Sequence, residues 1–355
     1  MSALLLLGTR PEAIKMVPVA LALRRHMRVR IILTGQHAHA AAEALGDFGL
    51  AAHRCLMPPA AALPLMRRLA WMRAQATAAL RCEPPGWVLV HGDTASTLAG
   101  ALAARAAARP LAHIEAGLRS GCPTLPWPEE PIRRRLATLA QRHYAPTPAA
   151  QANLLAEAVP AERIVLTGNT VIDALRLQLG GRVPLPADPP YLLATLHRRE
   201  NWGAAIARLC RGLTKLPRLG LAVRLVLHPN PALQIQIRAS LGGIAGVALV
   251  PPQRHPAFLR LLAGARLVLT DSGGVQEEAA ALGRPVLVGR TATERGEAVA
   301  AGLARLIGTD PDALTEAVTA MLAAAPPAPL LYGDGRASQR IARDLRLYAD
   351  LTAAA

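Results

Sequence analysis

Aromatic side chains are scarce in this chain of 355 residues: two Phe, four Trp and four Tyr, or 3% of the total. Its cores must therefore be packed from Leu, Val, Ile and Ala, which a hydrophobic fraction of 52% supplies amply and which excludes a disordered chain. The four cysteines, Cys55, Cys82, Cys122 and Cys210, form no CxxC pair, so neither a disulfide framework nor a zinc module is expected. Free thiols fit a reducing cytoplasm. Every apolar run is broken by polar residues well before membrane-crossing length, which argues against a membrane partner. The first run, Ala3 to Leu7, is too short and has no basic leader; it is expected to be a strand and not a signal peptide. No GxSxG, P-loop or GxGxxG motif occurs, which disfavours a serine hydrolase, a P-loop NTPase and an ordinary dehydrogenase.

Acidic residues are also few, 24 against 40 Lys and Arg, giving a formal charge of +16. The arginines are scattered over helical patterns, with no basic tail and no interleaved aromatics, so nucleic acid is not an expected partner. A polyanionic small molecule such as a nucleotide diphosphate is the simpler counterpart.

What is present is an alternation of short β-compatible runs with longer helical ones. The strands are expected at 3–7, 29–33, 87–90, 111–114 and 164–166, then at 191–196, 224–227, 247–250, 266–269 and 285–288. The fold class is α/β: two doubly wound, Rossmann-like domains facing each other across a cleft. The Gly- and Pro-rich stretch 180–190 lies at or just after their connection, and 336–352 reads as a last amphipathic helix.

The polar clusters follow the strands: Gly8-Thr-Arg-Pro-Glu12, Thr34-Gly-Gln-His37, His91-Gly-Asp-Thr94 and His113-Ile-Glu115 in the first half. The second half repeats the habit with Leu196-His-Arg-Arg-Glu200, His228-Pro-Asn-Pro231, Asp271-Ser-Gly-Gly274 and Thr293-Glu-Arg295. Open parallel sheets bind ligands outside the carboxyl ends of their strands, so these clusters describe an active site.

Thr9 and Glu12 fit a helix capping box with Pro11 in the first turn, whereas Arg10 projects where an anion would meet the helix. Lys15 is one of only two lysines, with Lys215, as if a compact ammonium were needed there. Asp93, Glu115 and Glu129 are the candidates for acid–base work. Glu129 opens a helix, and Arg133 one turn on is placed to pair with it. His91 and Asp93, like His113 and Glu115, are two residues apart. They could hold a divalent metal, though neither spacing is a standard one, and structural histidines at strand ends are the plainer reading. The turn Ser272-Gly273-Gly274 suits a diphosphate at a helix start, and Glu278 suits ribose hydroxyls.

These clusters, in this order, resemble the non-hydrolysing UDP-N-acetylglucosamine 2-epimerases. The matching segments also include His113-Ile-Glu-Ala-Gly-Leu-Arg119, Pro126-Trp-Pro-Glu-Glu130, Gly168-Asn-Thr-Val-Ile-Asp173, Asp271-Ser-Gly-Gly-Val-Gln-Glu-Glu278 and Tyr332-Gly-Asp-Gly335. The resemblance implies a glycosyltransferase-B-like fold with domains 1–170 and 171–337, the helix 338–355 packing back on the first. It implies elimination of UDP to 2-acetamidoglucal and re-addition with inversion at C2, converting UDP-GlcNAc to UDP-ManNAc without cofactor or metal. The catalytic positions it implies are Asp93, Glu115, Glu129, His197, Arg10 and Lys15. The substrate-binding positions are Gln36, His37, Arg133, His228, Phe258, Ser272, Gly273, Gly274, Glu278 and Arg295. A homodimer is the implied assembly.

The chain departs from the family at Pro131-Ile132-Arg133, where an Asn-Arg pair is usual. It departs again at the alanine-rich 38–44, where bacterial members often carry a regulatory site. Related enzymes acting on UDP-2,3-diacetamido-glucuronate share most of these motifs, and a hydrolysing epimerase is the other alternative.

Overall fold

The computed structural model describes residues 2–60, 62–181, 185–196, 202–293, 295–323 and 331–353; His197-Arg-Arg-Glu200, Glu294 and the Pro-rich segment 325–329 lie outside them. The first strand, β1 (Ser2–Leu7), is buried throughout and alternates its side chains between two cores. Ala3, Leu5 and Leu7 join the core formed with helices Arg10–Leu23 and Ala38–Gly46. Leu4 and Leu6 join that of helices Leu65–Cys82 and Ala95–Ala106. A strand apolar on both faces belongs inside a parallel sheet covered by helices on both sides.

Six further strands complete this sheet: β2 (Arg28–Leu33), β3 (Arg54–Cys55), β4 (Gly86–His91), β5 (Leu111–Ile114), β6 (Arg142–Ala145) and β7 (Ile164–Leu166). Their order is β3-β2-β1-β4-β5-β6-β7, all parallel. A second sheet holds β8 (Tyr191–Thr195), β9 (Ala222–Val226), β10 (Val247–Val250), β11 (Leu267–Thr270), β12 (Val286–Val288) and β13 (Ala304–Leu306). Its order is β10-β9-β8-β11-β12-β13, again all parallel. Each sheet reverses direction of growth once, between β1 and β4 and between β8 and β11. That switch point is where an open α/β sheet leaves a crevice for ligand.

The expected doubly wound architecture is therefore present in both halves. Three strands escaped the sequence pattern. β3 has two residues and β13 has three, too few for periodicity to register. β6 reads Arg-His-Tyr-Ala, yet all four residues are buried, because the Arg142 guanidinium and the Tyr144 hydroxyl both find the carboxylate of Asp344.

The chain divides into two compact units, residues 1–180 with 332–355, and residues 181–331. The boundary drawn from sequence at 170/171 differs from this one, because helix Thr170–Leu179 packs on helix Arg10–Leu23 of the first unit. The last helix, Ala337–Ala353, also belongs to the first unit. Asp173 caps its start, accepting hydrogen bonds from the backbone N–H groups of Ala337 (3.2 Å) and Ser338 (2.9 Å). Asp344 ties its middle to β6. Among the described residues no helix is long and apolar enough to cross a membrane. The four cysteines are unpaired.

Candidate active site

The carboxyl ends of β1, β4 and β5 gather the charged residues of the first unit. Gly8 follows β1 because nothing larger fits: a Cβ there would lie 2.2 Å from the Ser96 hydroxyl. The expected capping box of Thr9 and Glu12 does not form. Glu12 turns instead to the Gly8 N–H (2.7 Å), and it accepts from the hydroxyls of Thr9 (3.0 Å) and Thr94 (2.7 Å). Burial raises its pKa even against those donors, and the carboxylate staples the β1 turn to the β4 turn. The capping box forms at Thr94 and Thr97, at the start of helix Ala95–Ala106.

Lys15 is buried one helical turn beyond Glu12, and its ammonium donates to Oε2 of Glu115. Their side chains are 6% and 8% exposed, so each charge depends on the other for compensation. His91 Nε2 lies 3.5 Å from the same oxygen, and Asn169 Nδ2 donates to it at 3.2 Å. Glu115 has a φ of +63°, a left-handed conformation that costs a non-glycine residue about 1–3 kcal/mol and persists only where its surroundings hold it. A Cβ added to Gly92 would come no nearer than 3.9 Å to Oε1 of Glu115.

The next residue, Asp93, takes a two-pronged grip from Arg133, through Nε (2.7 Å) and a terminal nitrogen (2.6 Å). The other arm of Arg133 donates to Glu130 at 2.9 Å. The pairing expected between Arg133 and Glu129 is thus replaced by one with Glu130, three residues back. Glu130 is fully buried and also accepts from the Ser120 N–H (3.2 Å), with Arg134 at 3.3 Å and Arg119 at 3.9 Å. Glu129 is half-buried, with Oε2 enclosed and lacking a hydrogen-bond partner. Arg133 therefore links Asp93 to the helix that Glu129 opens.

The remaining first-unit candidates stand around this cluster. Arg10 pairs with Glu43 at 3.1 Å and is 38% exposed. Gln36 Oε1 accepts from the Ser96 N–H (2.9 Å), at the start of helix Ala95–Ala106. His37 is exposed, and partial burial followed by the charge of Arg68 lowers its pKa. His113 takes a structural place, its Nε2 donating to the Gly92 carbonyl at 2.8 Å, and burial drives its pKa to about 3. Its cross-strand neighbour His143 is held near 4, chiefly by burial.

In the second unit, β11 ends in Thr270, and Ser272 caps helix Gly273–Ala281 by position only, with no side-chain cap bond. Its backbone N–H donates to the Thr270 hydroxyl at 3.0 Å. A Cβ at Gly274 would meet nothing within 4 Å, so the helix start is open to an approaching group. Glu278, on the same helix, accepts from His255 Nε2 at 2.8 Å, both side chains being 8% exposed. Phe258, half-buried, sits on helix His255–Gly264 with His255. His228 turns its Nδ1 to the Asn230 N–H at 3.0 Å and packs edge-on against Trp202. Arg295 donates to Glu277 at 2.7 Å, buried with it beside the Thr293–Gln276 hydrogen bond of 2.9 Å. His197 lies outside the described residues.

Sequence reasoning missed Glu130, Asn169, His255 and Glu277. Glu130 had a signal, since spacings of three and four residues both reach Arg133 on a helix. Asn169 had one in Gly-Asn-Thr, a helix-cap pattern. His255 and Glu277 had none, because their partners are remote in sequence or on another loop.

A family model described as UDP-N-acetylglucosamine 2-epimerase matches residues 20–346. A probable UDP-N-acetylglucosamine 2-epimerase of Ralstonia solanacearum is 41% identical, covering 97% of this chain and 98% of the relative. The UDP-N-acetylglucosamine 2-epimerase of Escherichia coli K12 is 39% identical, covering 98% of each. The crystal structure of the Neisseria meningitidis UDP-GlcNAc 2-epimerase bound to UDP-GlcNAc superposes with a TM-score of 0.90. It is 36% identical and covers 97% of this chain and 99% of that one.

Proposed function

The chain belongs to the UDP-N-acetylglucosamine 2-epimerase family, and we propose on that premise that it interconverts UDP-GlcNAc and UDP-ManNAc without hydrolysis. The observation that carries this reading is a pair of carboxylates gripped by buried cations, Glu115 by Lys15 and Asp93 by Arg133, with Glu129 opening the helix that bears Arg133.

The C2 hydrogen of the sugar is not acidic enough to be removed alone. A carboxylate takes it as the C1–O bond to UDP breaks, the electron pair forming the C1–C2 double bond of 2-acetamidoglucal. UDP then adds back to C1 while a second group delivers a proton to the opposite face of C2. The step needs one base, one acid and cations for the leaving diphosphate. Asp93, Glu115 and Glu129 supply the first two. Lys15 grips Glu115, and Arg133 orients Asp93. Glu129 keeps an enclosed Oε2 with no hydrogen-bond partner, an oxygen left for the substrate to meet.

The second unit holds the nucleotide. The Ser272-Gly273-Gly274 turn receives the diphosphate on helix N–H groups, Glu278 receives the ribose, and Phe258 lies beside the uracil. His228 also contacts the nucleotide sugar. Arg10 and His197 neutralise the departing UDP, while Gln36, His37 and Arg295 shape the surroundings. Arg295 acts through Glu277 and Arg133 through Asp93, so both position other groups. The enzyme is taken to be a cytoplasmic homodimer with no redox cofactor.

Incubation of the purified chain with UDP-GlcNAc, with products separated by ion-exchange chromatography, tests the reading. UDP-ManNAc should accumulate while total UDP-sugar stays constant. Free N-acetylmannosamine with UDP, or no product, would overturn it.

A further inference from the structure

We propose that Asn169 is a positioning residue for Glu115, holding its carboxylate in one orientation for proton transfer at C2. This rests on the function proposed above. Asn169 is 3% exposed and caps helix Thr170–Leu179, its Oδ1 accepting from the Val171 N–H at 3.0 Å. That bond settles the amide's orientation, because only the oxygen can accept. The group facing Glu115 is then the NH2, which donates to Oε2 at 3.2 Å.

The backbone of Asn169 is fixed as firmly as its side chain. Its N–H donates to the Tyr332 carbonyl at 2.7 Å. Gly168 and Gly333 take φ values of +88° and +105°, and a Cβ on Gly333 would stand 3.0 Å from the Gly168 Cα. Only two glycines let these backbones meet so closely. Tyr332 is where the chain rejoins the first unit, so the amide is anchored from the returning segment, the helix start and the carboxylate at once.

Oε2 of Glu115 is faced by the Lys15 ammonium, by His91 Nε2 at 3.5 Å and by the Asn169 amide. The left-handed backbone of Glu115 fixes where the side chain starts, and the Lys15 ammonium, as a point charge with freely turning donors, imposes little direction on a carboxylate. The planar amide does impose one.

Two substitutions separate this role from the helix cap. Asn169→Ser keeps a capping oxygen and removes the NH2; Asn169→Asp keeps the cap and turns a second carboxylate toward Glu115. Both variants should melt close to the parent. The expected result is a kcat lowered about 10-fold for Ser and about 100-fold for Asp, with KM for UDP-GlcNAc within about twofold. The limb of the kcat–pH profile set by Glu115 should move to higher pH, by about one unit in the Asp variant, because a like charge disfavours ionisation. Parental kcat and an unmoved profile in the folded variants would overturn the proposal. So would a loss of kcat that tracks lowered melting with the profile unmoved. A parent chain that fails to epimerise would sink the functional reading alone. The proposal then stands or falls on a 13C NMR titration of side-chain-labelled glutamate, the Glu115 signal being assigned by its loss in Glu115→Gln. Its midpoint should rise in Asn169→Asp, and an unchanged midpoint would refute the positioning role.

Discussion

The two units share a strand order but furnish their switch points differently. Behind β1 and β4 of the first unit, buried charges are already matched: Lys15 with Glu115, Arg133 with Asp93 and Glu130. Behind β11 of the second unit stands a glycine-bearing helix start, where Gly274 faces open space. The difference follows from the work each is proposed to do. A proton donor or acceptor needs its pKa and direction set before substrate arrives, and that requires charged neighbours fixed in place. A diphosphate brings its own charge and asks only for N–H groups and room.

The largest effect that could break this contrast is at Asp93. Asp93→Asn should lower kcat about 10³-fold while leaving UDP affinity, measured calorimetrically, within about twofold. An equal loss of UDP binding would mean the first unit also carries the nucleotide.

Next in size is the anchoring of the last helix to the first unit. Asp344→Ala strips the 91%-buried Arg142 side chain of its carboxylate, donated to through Nε at 3.0 Å, and leaves the Tyr144 hydroxyl unpaired. Removing one partner of a buried pair costs about 3 kcal/mol. In a unit of this size that lowers the melting temperature by about 6–12 °C. A melting temperature that stays within about 1 °C of the parent would show the pair to be dispensable.

Gly274→Ala probes the open turn. The added methyl meets nothing within 4 Å in the chain itself, so stability should change by less than about 0.5 kcal/mol. UDP affinity should nevertheless fall about 10-fold, because the methyl stands where the phosphate approaches. Unchanged affinity would move the phosphate site elsewhere.

The smallest test concerns acid. His113 and His143 are held neutral in the folded first unit, with pKa values near 3 and 4, while the unfolded chain takes up protons near 6.5. They cost nothing above pH 6.5 and destabilise the fold progressively as pH falls from 6.5 toward 4 for His143 and toward 3 for His113, each by up to about 1.4 kcal/mol per pH unit. Glu12 and Asp173, whose pKa values are raised by burial, bend the profile the other way. His143→Leu therefore isolates one histidine: denaturant titrations at pH 6.5 and 5 should show a shallower loss than the parent's, and an identical slope would remove His143 from the account.

Much of this was legible in the sequence because the cues were local. Apolar runs mark ten of the strands, and the polar clusters behind them point to Asp93, Glu115 and the Ser272 turn. What was not legible depended on partners distant along the chain. β6 is a strand because Asp344, about 200 residues on, satisfies Arg142 and Tyr144. Glu12 forsook its capping box because Thr94 and the Gly8 N–H offered better donors. Arg133 meets Glu130 through one terminal nitrogen while its Nε edge grips Asp93. Helical spacing alone does not distinguish Glu130 from Glu129.

The account turns on proton exchange at C2 by the carboxylates of the first unit, and deuterated water reads that directly. UDP-GlcNAc turned over in it should yield UDP-ManNAc carrying deuterium at C2, with label appearing at C2 of the recovered UDP-GlcNAc as well. UDP-ManNAc that keeps the original hydrogen at C2 would contradict the account.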